Sequence, residues 1–99
     1  MSKFKDIISS PTPTLVDFFA TWCGPCQTMM PILDKVKKDM GEQIRILKVD
    51  VDKNQAVANQ FKVKGVPTFV LFQNGEMLWR QSGGMDFNTF LHKIKSNLK

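Results

Sequence analysis

The chain has 99 residues, 42% of them hydrophobic and 23% charged, which suits one small folded domain with a single core and excludes a disordered chain. Fourteen Lys and Arg against nine Asp and Glu leave a net charge of +5, yet the lysines are scattered over helix faces, so a nucleic-acid surface is not expected. No apolar run is long enough to span a bilayer, and the opening MSKFKDIISS lacks the apolar stretch of a secretory leader, so the expectation is a cytoplasmic protein with no membrane partner.

In chain order, residues 3–9 (KFKDIIS) form a short predicted helix, ended by the Ser-Pro-Thr-Pro stretch at 10–13. Leu15 to Ala20 (LVDFFA) reads as a strand buried on both faces, apolar except for Asp17. From Gly24 to Met40 the pattern is helical: Met29, Leu33, Val36 and Met40 recur at spacings of four, three and four, and Gly41 is placed to cap the end. Pro31 falls inside this helix and predicts a kink about one turn after the cysteines.

Ile44 to Val51 (IRILKVDV) is a second strand, and strand–helix–strand in this order gives a parallel pair with a right-handed crossover. A short helix over Asn54 to Phe61 offers Ala56, Val57 and Phe61 to the core. Thr68 to Phe72 and Glu76 to Gln81 flank Asn74-Gly75, a pair suited to the positive φ of a tight hairpin turn. Gly83-Gly84 breaks the second of these strands, and Asp86 can cap a last helix whose inner face is Phe87, Phe90, Leu91, Ile94 and Leu98. The fold class that follows is α/β: a mixed central sheet, two parallel strands plus an antiparallel hairpin, with helices on both faces, in a single domain 1–99.

The chemistry centres on Cys23 and Cys26, the only cysteines present. They follow a buried strand and open a helix, so Cys23 should sit where unpaired backbone N–H groups and the positive end of the helix dipole favour a thiolate. Two intervening residues bring Cys26 round one turn, close enough for a disulfide. Pro25 fits the first turn, where its missing N–H costs nothing, and Gly24 leaves room beside the sulfur for another protein. Cys23 is expected to be the exposed nucleophile and Cys26 the resolving thiol behind it. A permanent disulfide would close too short a loop to stabilise much. A metal site would need more ligands than two cysteines and His92, unless two chains shared an ion or an iron–sulfur cluster. Met29 and Met30 read as packing residues. Asp17, a carboxylate in an apolar strand, is costly unless paired or functional, and burial should raise its pKa.

The run LVDFFATWCGPC (Leu15–Cys26), Pro31, KVDVDKN (Lys48–Asn54), GVPTFVLFQNGE (Gly65–Glu76) and Gly83 resemble the thioredoxin family in order and spacing, over roughly residues 14–98. The resemblance implies a protein-disulfide reductase. Cys23 would attack a substrate disulfide, and Cys26 would then attack Cys23 and leave a Cys23–Cys26 disulfide. It implies that Asp17 moves the proton of the resolving thiol, that Lys48 tunes Asp17, and that Val66-Pro67 faces the site with the proline cis and the Val66 backbone pairing with substrate. Trp22 and Gly83, together with Gly24 and Pro25, would complete the docking surface, although a tryptophan such as Trp22 could also be core. The implied partners are disulfide-containing proteins and a flavin-containing thioredoxin reductase that draws electrons from NADPH, with no cofactor on this chain and a monomeric state.

Three departures accompany the likeness. Only 22 residues precede Cys23, implying a shortened or partly absent first edge strand and first helix; Phe19 stands where many members carry a second tryptophan; Gln27 replaces a basic residue. They bear on the redox potential and on the match to a reductase. The competing functions are a thioredoxin-fold binding subunit of a larger complex and a disulfide oxidase or isomerase.

Overall fold

Strand β1 (Thr14–Phe19) lies inside the sheet of the computed structural model, which describes residues 2–99. It is preceded by helix α1 (Ser2–Ile8) and followed by α2 (Gly24–Met40), a 3-10 turn (Gly41–Gln43), β2 (Arg45–Asp50), α3 (Gln55–Gln60), β3 (Thr68–Gln73), β4 (Glu76–Ser82) and α4 (Phe87–Asn97). The strand order is β2-β1-β3-β4. The β1–β2 pair is parallel and the β1–β3 and β3–β4 pairs are antiparallel, the mixed sheet expected from the sequence. Among the described residues no strand precedes β1, and α1 has seven residues, in line with a shortened N-terminal element. No helix of the described residues is long and apolar enough to cross a membrane.

Side-chain alternation in β1 divides the core into two layers. Leu15 packs with Leu33, Val36, Phe69, Phe90 and Ile94, the layer beneath α2 and α4. Val16 and Phe18 pack with Ile8, Val57, Val70 and Phe72, the layer beneath α1 and α3. Each layer is fixed by aromatic contacts: Phe69 and Phe90 meet at 4.7 Å between centroids, and Phe61 meets Phe72 at 5.4 Å. In α3 the core contacts differ from the expected set: Ala56 is exposed and Ala58 is buried beside Val57, because a six-residue helix turns only one narrow face to the sheet.

Helix α2 has the span read from the sequence, and its buried stripe is Cys26, Met29, Leu33, Val36 and Met40. It continues through Pro31 without a break, so the expected kink does not interrupt the helical run. Pro31 is exposed, and the bond it cannot make would have gone to the Gln27 carbonyl, close to solvent. Gly41 N–H closes the helix on the Lys37 carbonyl. In the hairpin, Asn74 and Gly75 have φ of 54° and 79°, the pair of positive values that the turn demands. The β3–β4 register shifts between Leu71 and Phe72, an irregularity of the kind that bends a strand and increases its local twist. Asp86 caps α4 by accepting the Thr89 N–H at 2.8 Å.

Phe90 has no exposed surface and bridges Phe69 and Trp79 across α4 and the sheet. Phe90→Ala is expected to lower stability by about 3–5 kcal/mol, read from the urea midpoint at unchanged denaturant slope.

Candidate active site

Because β1 ends at Phe19, the chain leaves the sheet at Ala20 and enters α2 within four residues. The Cys23 N–H bonds the Ala20 carbonyl at 3.2 Å, a tight turn that delivers Cys23 to the helix N-cap. There its Sγ accepts the Cys26 N–H at 3.2 Å, and its carbonyl accepts the Gln27 N–H at 3.3 Å. The sulfur of Cys23 therefore takes one of the donors that a helix start leaves unpaired, at the positive end of the dipole. Cys23 and Cys26 are joined as a disulfide, with Cα atoms 5.3 Å apart.

Cys23 is more enclosed than expected, whereas Cys26 is buried as expected. Cys23 is only 5% exposed, whereas Cys26 is 1% exposed. Cys23 is therefore a buried side chain and not the exposed one expected, because the pair is joined and other residues pack over it. Ala20, Phe19, Val51 and Val66 pack around the pair, and the Val66 carbonyl oxygen lies 3.6 Å from Cys23 Sγ. Above Gly24 there is open space: a Cβ built there would meet no heavy atom within 4 Å.

The second wall of the site comes from the loop before β3. The Val66–Pro67 peptide is cis, and Pro67 is buried. Thr68 anchors this loop, with its hydroxyl 2.7 Å from the Gly65 carbonyl and 2.8 Å from the Ser82 hydroxyl. Gly83 reaches the same place from the end of β4, and its N–H donates to the Pro67 carbonyl at 2.8 Å. Its φ of 95° lies in the region open to glycine. Trp22 is 72% exposed, so it is not a core residue; its indole N–H donates to Asp52 Oδ2 at 2.9 Å.

Asp52 is a partner that sequence reasoning missed, although it lies in the KVDVDKN run (Lys48–Asn54), two residues past the end of β2. Gln27, noted as a departure, donates to the Thr21 carbonyl at 3.0 Å and braces the turn before Cys23. His92 is exposed on α4. Among the described residues no group of three or more His, Cys, Asp and Glu is placed to hold a metal ion. The groove lined by Phe4, Ile8, Phe61, Phe72 and Met77, between α1 and α3, shares no residue with the dithiol site.

Asp17 is fully buried, and neither carboxylate oxygen has a hydrogen-bond partner among the described residues. By alternation it faces the α2 side, the same side as Leu15. Lys48 is its register neighbour on β2 and is exposed. Burial raises the Asp17 pKa from 3.8 to about 6, and the Lys48 ammonium pulls it the other way without cancelling the cost of desolvation. Asp17 is thus a buried carboxyl with a raised pKa, on the face of the sheet that α2 covers.

The model of the Thioredoxin family matches residues 1–96. Thioredoxin Y of the chloroplast of Oryza sativa subsp. japonica is 40% identical over 99 residues, covering 99% of this chain and 59% of its own length. The chain therefore spans about three fifths of that relative. A bifunctional thioredoxin reductase/thioredoxin of Mycobacterium leprae is 44% identical over 82 residues, 83% of this chain and 18% of that protein. Among solved structures, oxidised mitochondrial thioredoxin 3 of Saccharomyces cerevisiae superposes with a TM-score of 0.87 at 33% identity, over 96% of this chain and 88% of that one.

The Asp17 carboxyl generates a pH prediction. Its folded pKa lies above its unfolded value, so between about pH 4 and pH 6 the folded protein keeps a proton that the unfolded chain releases. Stability should fall as pH rises through that window, by about 3 kcal/mol in all for a rise of this size, and level off above it. Asp17→Asn should remove the slope and be the more stable protein at neutral pH. Urea melts of both proteins across the window check this.

Proposed function

The chain belongs to the thioredoxin family, and from that premise we propose that it reduces disulfide bonds in other proteins by dithiol–disulfide exchange at Cys23 and Cys26. The observation that carries the reading is the cysteine pair at the N-terminus of α2: a disulfide whose more accessible sulfur is the N-cap acceptor.

In the dithiol form, the Cys23 thiolate attacks one sulfur of a substrate disulfide; a Cys23–substrate bond forms, the substrate bond breaks, and the departing thiolate takes a proton. Cys26 loses its proton, attacks Cys23 Sγ, and expels the second substrate thiolate, which is protonated in turn. The substrate gains two electrons and two protons, and this protein is left as the Cys23–Cys26 disulfide. Asp17, with a pKa of about 6, is mostly ionised at neutral pH and is the base we assign to the Cys26 proton. Lys48 keeps that base from rising further.

Trp22, Gly24, Pro25, Val66, Pro67 and Gly83 form the docking face in this reading. What supports it is the exposure of Trp22, the open space over Gly24, and the loops of Pro67 and Gly83 joined beside the dithiol. An extended substrate segment can pair with the Val66 backbone as an added strand would. The partners are disulfide-containing proteins and a flavin-containing thioredoxin reductase supplying electrons from NADPH. The reductase fused to the Mycobacterium leprae relative supports that choice. We take the working form to be one domain, 1–99, acting as a monomer in a reducing compartment such as the cytoplasm.

Cys26→Ser should hold substrates as stable mixed disulfides on Cys23, and Cys23→Ser should abolish both trapping and turnover. Non-reducing electrophoresis and mass spectrometry after incubation with a disulfide-bearing protein check this, and preferential alkylation of Cys26 in the dithiol form would reverse the assignment. A redox potential near or above that of the glutathione pool would replace the reductase reading by the oxidase one.

A further inference from the structure

The segment between β4 and α4 is held at two points. At one end the Gly83 N–H donates to the Pro67 carbonyl at 2.8 Å. At the other, the Met85 N–H donates to Met29 Sδ at 3.5 Å, a distance suited to the larger radius of sulfur. Met29 is 1% exposed and lies three residues after Cys26 in α2. Its side chain runs along the loop backbone: a Cβ added at Gly84 would lie 3.8 Å from Sδ and 4.0 Å from Cγ. Gly84 and Met85 also line the same surface depression as Pro25. These contacts make a closed circuit: Cys23 against Val66, Pro67 to Gly83, Met85 to Met29, and Met29 back along one turn of α2 to Cys26.

We propose that Met29 is a positioning residue: its thioether sulfur holds the Gly84–Met85 backbone against α2 and so sets the docking face on which a protein substrate is received. This rests on the disulfide-exchange reading above. Packing alone does not account for the residue. Leucine or isoleucine would fill the stripe equally well, but neither has an acceptor, and the Met85 N–H would be left unpaired in a half-buried place. A thioether is a weak acceptor on a flexible, polarizable chain, able to reach a loop that a branched side chain cannot. The loop so fixed carries two glycines in succession, which would otherwise leave it loose.

The test is Met29→Leu in the full chain, compared with the wild type by amide hydrogen exchange at Met85, by KM and kcat for reduction of insulin disulfides, and by urea melts. The worth of one hydrogen bond translates into Met85 exchange about three- to tenfold faster and a KM raised by a similar factor, with kcat changed less. Unchanged Met85 exchange overturns the proposal. So does faster exchange spread over all of α2 and α4 with a lowered urea midpoint and no rise in KM, since that is the signature of packing alone. Met29→Ile serves in the same measurements if the leucine variant does not fold. Should the wild type fail to reduce insulin at all, the disulfide-exchange reading falls, whereas the Met85 exchange rate still decides what the sulfur holds.

Discussion

Thr14–Phe19 is paired to β2 on one edge and to β3 on the other, with a packed layer on each face. A strand bound on all four sides cannot shift its register by one residue without turning Leu15 and Asp17 into the layer occupied by Val16 and Phe18. The point where the chain leaves the sheet is fixed with it. The turn through Ala20 then brings Cys23 to the head of α2, and the helix has one place to start. β3 runs antiparallel to β1, so the beginning of β3 lies at the same end of the sheet as the end of β1. Val66 and Pro67 reach the dithiol for that reason. Sheet topology brings these parts together; the side chains then define the chemistry.

That chemistry combines two opposed electrostatic settings. At the head of α2 the backbone presents donors and a positive dipole end, which favours a sulfur anion. On β1, the strand that leads into α2, Asp17 lies in an apolar layer with no donor to its oxygens among the described residues, a setting that disfavours an anion. In the proposed cycle, a proton leaving Cys26 would go to a carboxylate whose raised pKa makes it a better acceptor than an exposed aspartate. The same carboxylate destabilises the folded chain when ionised, so the role proposed for it in exchange and the stability of the fold pull in different directions at one residue.

The periodic elements were open to reading from the residues because each carries a redundant signal. Helix α2 combines a four–three–four stripe, a proline in its first turn and a terminal glycine, and its span agrees at both ends. The hairpin turn rests on Asn74-Gly75 alone, yet positive φ at two successive positions suits few other pairs. Features decided by tertiary contact were not legible in this way. Ala56 and Ala58 are equally apolar and differ only in which way a short helix faces. Burial of Cys23 depends on Val66, far along the chain, and Trp22 finds Asp52 across a gap of 30 residues. The cis bond before Pro67 came from family likeness, since nothing in a single Val-Pro pair distinguishes it. Met29 was legible as core and not as an acceptor, because a stripe of apolar positions carries no trace of a backbone N–H waiting on another element.

The contacts that close the site span very different lengths of chain. Cys23 and Cys26 are three residues apart, whereas the Cys23–Val66 contact bridges 43 and the Met29–Met85 bond bridges 56. Loops of that size close late in folding, after local helix and turn structure. A nascent or partly unfolded chain would therefore carry its two thiols before it carries the docking face proposed above. If the chain acts as proposed, discrimination among disulfides would belong to the completed domain, and the short cysteine segment by itself would be a thiol reagent with no preference.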